Sequence, residues 1–445
     1  MANFSGLLSR ELTVYPTGGR RVWLLFIAIL ANFIASYEAQ IAPVLPLLLN
    51  DLNISLAQYG MVSACSVLAS AVSALLFAPL ADRYGRVKFL VPSLFLTCVC
   101  VYAMVLVETL SHLLVLRIIL AFVDGIAVGT TAGLVRDFSP RLGRALAFGF
   151  WTFGPVGSNF FANAMAGWTL PIFHVWQSQF VIGGTIALLS SIVILFNIAD
   201  LSPKLRSRII HSTEEMEAQN EKSPSPTDST ENTPKMREIL RYPHIWTLCI
   251  GITLFLLTYM TIASFGTKLL VDAFHYDAHQ AASIAKYFWL FNLFTLLLAG
   301  WISDRLQLRK IVSLTGAVLF AIYMIFFISL FGTEVPEGQM MIYTSLLGGL
   351  IGIAYGPWCA LFSENAEDVK ASLQSSAWGL FGFASRVVSL TVYFAAPIVV
   401  AAHSWETWLW IAVGVGVIVY IPFLFTGRGP WFRRKEEKIT FTPAP

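Results

Sequence analysis

Residues Ala78-Pro79-Leu80-Ala81-Asp82-Arg83-Tyr84-Gly85-Arg86 end an apolar stretch in a knot of charge around one glycine. The segment Gly300-Trp301-Ile302-Ser303-Asp304-Arg305-Leu306-Gln307-Leu308, 222 residues later, ends another in the same way. A second echo follows. Gly125-Ile126-Ala127-Val128-Gly129 is matched by Gly352-Ile353-Ala354-Tyr355-Gly356, and Trp151 falls opposite Trp378 at the same offset of 227. Two motifs repeated in the same order mark a chain built from two related halves.

Outward from those motifs, twelve apolar stretches are long enough to cross a bilayer, which takes about 20 residues of helix. They run over 22–49, 57–81, 89–107, 113–135, 146–170 and 178–199, then 244–271, 281–302, 311–331, 341–362, 376–401 and 406–426. Six stand on each side of a polar insert. The organisation expected is an N-terminal segment (1–21), a first six-helix bundle (22–199), a linker (200–243), a second bundle (244–426) and a tail (427–445). The Pro/Ser/Thr-rich run over 221–234 reads as flexible linker, too polar to bury a core. The fold class is therefore an all-α membrane protein of twelve transmembrane helices in two pseudo-symmetric six-helix bundles.

Composition excludes the other classes. The residues AVILMFWYC make up 56% of the chain and charged residues only 12%, where a soluble domain carries about 25% charged. A net charge of +3 is too small for a nucleic-acid binder. The five cysteines (Cys65, Cys98, Cys100, Cys249, Cys359) all sit in apolar stretches, where a thiol behaves as a small hydrophobe rather than a disulfide partner. No metal-ligand cluster, phosphate-cradling loop or nucleophile–base pair has usable spacing, so an enzyme, a metal site and a bound cofactor are not expected.

Of the 29 Lys and Arg residues, 25 fall in the N-terminal segment, the even-numbered loops and the tail. Under the positive-inside rule both termini are cytoplasmic. The first apolar stretch is too long for a cleaved signal. The expected location is the cell membrane, as a multi-pass protein. The sequon Asn53-Ile54-Ser55 then faces outside.

On the strength of the 78–86 loop, the chain resembles the major facilitator superfamily, whose hallmark is G-x-L-A-D-R-x-G-R-K between the second and third helices. Leu80, Ala81, Asp82, Arg83, Gly85 and Arg86 fit; Ala78 replaces the first glycine and Val87 precedes Lys88. The resemblance implies two bundles rocking about a central site near mid-bilayer, a small-molecule substrate and a monomeric carrier in the lipid bilayer. It also implies a conformational latch of Asp82, Arg83, Gly85, Arg86 and Arg136, with Asp304 and Arg305 in the second copy. Gly85 permits the turn, Asp82 accepts from a neighbouring helix N-terminus and the arginines bridge the halves, with Asp137 and Glu364 joining the cluster.

Charge at the centre of a span costs about 2.5–3.5 kcal/mol, so such residues are site candidates. Glu38 lies in the outer third of the first helix, and Arg117 at nearly the same level in the fourth. Asp124 and Arg386 lie near the midplane. Glu38 and Asp124 are assigned to proton coupling, because desolvation raises an acid's pKa toward neutrality and a nearby arginine lowers it again. Arg386 has no acid in its own helix and is assigned to anion binding; Arg117 stands equally as anion ligand or as structural partner of Glu38. Tyr37, Asn159, Tyr259, Asn292 and Tyr355, with Asn32, complete a candidate substrate pocket. Lys268, Lys286 and His403 read as outer-end residues, and Trp405, Trp408 and Trp410 as an interfacial belt.

An arginine and an acid seven apart in the fourth helix, and an acid after a tyrosine in the first, resemble the anion:cation symporter branch. This chain has Ala39 where that branch often carries a basic residue beside the first-helix acid. The function expected is proton-coupled transport of an organic anion, driven by the proton gradient. Drug–proton antiport (from Gly154-Pro155-Val156-Gly157-Ser158) and proton–sugar symport are the alternatives within the superfamily. A non-transporting membrane sensor is the alternative outside it.

Overall fold

Each half starts its second span with the same device. Ser55 and Gln58 cap one another, Ser55 N–H donating to Gln58 Oε1 at 2.8 Å and Gln58 N–H to Ser55 Oγ at 3.2 Å. Asp277 and Gln280, 222 residues on, form the second capping box, with Asp277 N–H donating to Gln280 Oε1 at 3.1 Å. The box satisfies helix N–H groups that nothing else in the helix can reach.

The computed structural model describes residues 10–36, 41–138, 151, 153–202, 205, 241–369 and 373–432. Tyr37 and Glu38 lie outside these, as do the side chains of Asp82 and Arg136. The first span is formed by α1 (Gly18–Ala35) and α2 (Ile41–Asp51). It is followed by α3 (Leu56–Tyr84), α4 (Val87–Ala103), α5 (Leu110–Phe138), α6 (Phe153–Phe173) and α7 (Gln177–Asn197). In the second half α8 (Pro243–Phe255) and α9 (Leu257–Phe274) share the seventh span, meeting at Leu256 where ψ is 1°. Then come α10 (Ala278–Leu306), α11 (Arg309–Ser329), α12 (Glu337–Glu367), α13 (Leu373–Ala402) and α14 (Trp405–Thr426). Several helices outrun the apolar stretches expected for them. α12, expected over 341–362, has 31 residues. Charge ends the hydrocarbon layer without ending a helix.

Among the described residues, eleven segments are long and apolar enough to span a membrane. The twelfth span is α6, whose 21 residues include Gly154, Pro155, Gly157, Asn159 and Asn163 and are correspondingly less apolar.

The two halves pack alike. α3 lies on α5 as α10 lies on α12, α4 on α5 as α11 on α12, and α1 on α7 as α8 on α14. Gly125 lets α5 approach Ser70 and Ser73 on α3. Its counterpart Gly352 lets α12 approach α10, where an added Cβ would stand 2.7 Å from the Asn292 carbonyl. In lipid there is little hydrophobic drive between helices, so small residues that admit close contact hold the bundle. The repeated glycine motif is a packing motif.

The halves touch toward the face opposite the chain termini. Thr267 Oγ1 on α9 donates to the Ala42 carbonyl on α2, and the Tyr59 and Phe265 rings meet edge-on at 6.3 Å. Tyr393 and Pro397 on α13 press on Gly60 of α3, and Ser283 on α10 presses on Gly167 of α6.

One feature was not legible in the sequence. A two-residue strand β1 (Glu11–Leu12) pairs in parallel with β2 (Asp200–Leu201), with Asp200 N–H donating to the Arg10 carbonyl at 2.9 Å. The N-terminal segment is thereby tied to the start of the linker.

Candidate functional site

The face of α13 that meets the other half can be followed along its own helix. Tyr393 and Pro397 contact Gly60. Arg386 lies seven residues before Tyr393, hence on the same face and about 10 Å nearer the terminal face. There the chain opens. Among the described residues, a Cβ at Gly379 would meet nothing within 4 Å, and one at Gly382 only Arg386 Nη1 at 3.7 Å. The guanidinium is half-buried, and its recorded hydrogen bond is a long one, Nη1 to the Gly382 carbonyl at 3.4 Å. The two glycines therefore leave open space beside a cation on the helix that meets the other half.

Other expected pocket residues fall into two groups. Tyr355 lies beside this region, stacked on Trp358 at 5.8 Å and near Phe381 of α13 at 6.3 Å. Tyr259 packs edge-on against Trp289 at 5.3 Å. Asn159 is half-buried on α6; its Nδ2 donates to the Pro155 carbonyl at 2.9 Å, and its Oδ1 has no hydrogen-bond partner among the described residues. Asn163, one turn on, repeats this arrangement with the Asn159 carbonyl and is fully buried. Its four-residue spacing from Asn159 was the signal that could have flagged it.

The second group lies in seams inside a half. Asn292 donates to the Gly348 carbonyl at 3.0 Å between α10 and α12. Asn32 donates to the Trp151 carbonyl at 2.9 Å and packs against Gly154. Asp124, 4% exposed, accepts from Thr97 Oγ1 of α4 at 2.8 Å. Arg117 is 1% exposed on the same helix as Asp124. The structure thus sets Tyr355 against Phe381, on the helix that carries Arg386, and places Asp124 on the α4 side of α5.

The sequence profile of the Major Facilitator Superfamily matches residues 23–391. The chain belongs to that superfamily. It is similar to a phosphoglycerate transporter protein of Salmonella typhimurium, 23% identical over 400 residues that cover 85% of this chain and 82% of that one. It is also similar to the multidrug export protein EmrB of Haemophilus influenzae, 28% identical over 172 residues, 38% of this chain and 34% of the other. A crystal structure of a D-xylose–proton symporter superposes with a TM-score of 0.66 at 17% identity, covering 92% of this chain and 98% of that one. At that identity the likeness speaks for the fold. As a superfamily member the protein is a multi-pass membrane transporter and not an enzyme.

The superfamily loop is built around Arg86. Its side chain forms an ion pair with Asp137 and donates to the Gly133 carbonyl, both on α5. Its backbone N–H donates to Asp200 Oδ2 at 2.5 Å, and Val87 N–H points to the same oxygen at 3.5 Å. Gly85 turns the chain at φ +106°, a conformation that favours glycine. The N-terminus of α4 is thus served by Asp200, while the side chain of Asp82 lies outside the described residues. These contacts lie within the first half. In the second copy Arg309 pairs with Asp304 and, through Nη2 and Nε, with Glu364 Oε1 at 3.0 and 3.1 Å. Glu364 belongs to this second cluster rather than to that of Arg86. Arg83 lies over the Tyr84 ring at 5.3 Å and Arg305 over Trp301 at 4.9 Å.

The outer residues read as bystanders are engaged too. Trp405 and Trp408 are buried, donating to Asp272 Oδ2 and Thr261 Oγ1, each at 3.0 Å, and so do not form a lipid-facing belt. Trp410 is exposed, as a belt requires. Lys268 pairs with Asp272 at 2.6 Å, and Lys286 of α10 lies over the Trp168 ring of α6 at 5.4 Å, across the two halves.

Proposed function

We propose that the protein imports an organic anion with protons by alternating access, in the cell membrane with both termini cytoplasmic. The observation that carries this reading is Arg386, a cation on the face of α13 that meets the other half further along, beside the open space at Gly379 and Gly382. An arginine in a span is costly and endures where it meets a wet cavity or an anionic partner. Its planar fork suits a carboxylate or phosphate bound through two parallel hydrogen bonds. Tyr355 and Tyr259 supply the apolar wall and Asn159 a carboxamide oxygen on the opposing half. Arg117 is the second candidate cation.

With the termini inside, contacts gathered at the far face correspond to a carrier closed outside, its site reached from the cytoplasm. The phosphoglycerate transporter relative, whose named cargo is an organic anion, supports the same choice. Proton coupling is assigned to Glu38 and Asp124. The test is uptake of radiolabelled carboxylates and phosphorylated acids into proteoliposomes under an imposed pH gradient. Gradient-driven uptake that Arg386→Ala abolishes supports the proposal. Uptake that ignores the gradient removes the coupling, and binding without counterflow would make the protein a sensor.

A further inference from the structure

The two halves differ at one equivalent place. In the first half, the N-terminus of α4 is occupied by a carboxylate from the chain itself: Asp200 accepts from Arg86 N–H and Val87 N–H. Asp200 is the third residue past α7. In the second half the equivalent helix is α11, whose first residue, Arg309, stands 222 residues after Val87. The third residue past α14 is Gly429, which has no side chain to offer. The N-cap residue of α11, Leu308, has an apolar side chain that caps nothing.

What stands there instead is a cavity of about 100 Å³ lined by Gln307, Arg309, Lys310, Glu364 and Gly429 among others. Water takes about 30 Å³ per molecule, so the space admits a small oxyanion. Lys310 is only 4% exposed, and among the described residues no carboxylate lies within ion-pair distance of it; its ammonium sits over the Trp431 ring at 4.8 Å. Arg309 is already paired with Asp304 and Glu364, so among the described residues the charge left without a carboxylate is that of Lys310. Basic residues in the first turn oppose the helix dipole unless an anion joins them.

We propose that this cavity is an anion site, distinct from the central one, in which a phosphate group takes the place that Asp200 fills in the first half. The group is either free phosphate or the headgroup of an anionic phospholipid in the leaflet on the terminal face, where the adjacent Phe432 is exposed.

The test uses the full-length purified protein and two probes: inorganic phosphate at constant ionic strength in detergent, and nanodiscs of phosphatidylcholine with or without phosphatidylglycerol. Thermal midpoint is the readout, in wild type, Lys310→Gln, Lys310→Arg and Arg386→Ala. The wild type is expected to gain stability with one probe. Lys310→Gln should need about tenfold more of it, the loss of one charge-assisted hydrogen bond, while Lys310→Arg and Arg386→Ala keep the response. A response to phosphate identifies a soluble anion; one to phosphatidylglycerol alone identifies lipid. Equal responses in wild type and Lys310→Gln, a response lost in Arg386→Ala but not in Lys310→Gln, or no response to either probe would overturn the proposal. Should Lys310→Gln fail to fold, Lys310→Arg and Lys310→Met carry the comparison.

Discussion

The indole N–H of Trp176 donates to Asp51 Oδ2 at 2.7 Å, joining the end of the first span to the start of the sixth. Trp405 and Asp272 make the same bond at 3.0 Å between the seventh span and the twelfth. A hydrogen bond kept through duplication points to a shared duty. Each ties the first and last spans of its own bundle at the far face, so that the bundle moves as a unit.

Trp176→Phe and Trp405→Phe should each destabilise the protein by about 1.5–3 kcal/mol, the range for a hydrogen bond to a charged acceptor. The double variant should add the two losses, since the bonds lie in different halves. Thermal midpoints in detergent measure both.

Asp200→Ala leaves the N-terminus of α4 uncapped and removes a carboxylate buried beside Gly85. A loss of about 1 kcal/mol is expected from the cap alone. Leu12→Pro, which breaks the pairing of β1 with β2 by removing an N–H and fixing φ, should cost less, because Asp200 keeps its bonds to Arg86 and Val87. Equal losses in the two variants would refute that order.

At Gly60 an added Cβ would overlap the Tyr393 carbonyl, which is backbone and cannot swing aside. Gly60→Trp should therefore hold the halves apart at the far face. Thiol labelling of cysteines introduced along α9 and α13 should rise, and uptake should fall about tenfold or more as the closed state becomes scarce. Substrate binding should persist.

Arg386→Ala should lower carboxylate uptake by about 100-fold, the usual cost of removing a buried charge that pairs with its ligand. The thermal midpoint should hardly change, since the guanidinium's recorded bond is to its own helix. Arg386→Lys restores charge without the fork and should recover uptake only in part.

Glu38→Gln and Asp124→Asn separate the two candidate proton carriers. Accumulation driven by a pH gradient is expected to disappear in each, while counterflow continues. Accumulation intact in the double variant removes both from the coupling.

The spans, the repeat and the loop around Gly85 were readable because each is a local property: apolar length, periodic recurrence, a turn that favours glycine. Candidate residues were readable as a class, because charge and carboxamide groups stand out in an apolar stretch. Their directions were not. Asn292 and Asn32 looked like pocket residues and proved to donate to backbone carbonyls between helices. Trp405 looked like an interfacial anchor and is buried on Asp272.

By itself the sequence determined that this is a twelve-span, two-fold repeated membrane protein, since a bilayer reads only length, polarity and charge. Tertiary structure decided which face of each span meets lipid, a neighbouring helix or the opposing half. A span apolar on every side carries no periodic mark of its neighbours. Only packing turned Arg386 toward the division between the halves, set Asp124 against α4, and gave one half a carboxylate at Asp200 where the other has Gly429 beside Lys310.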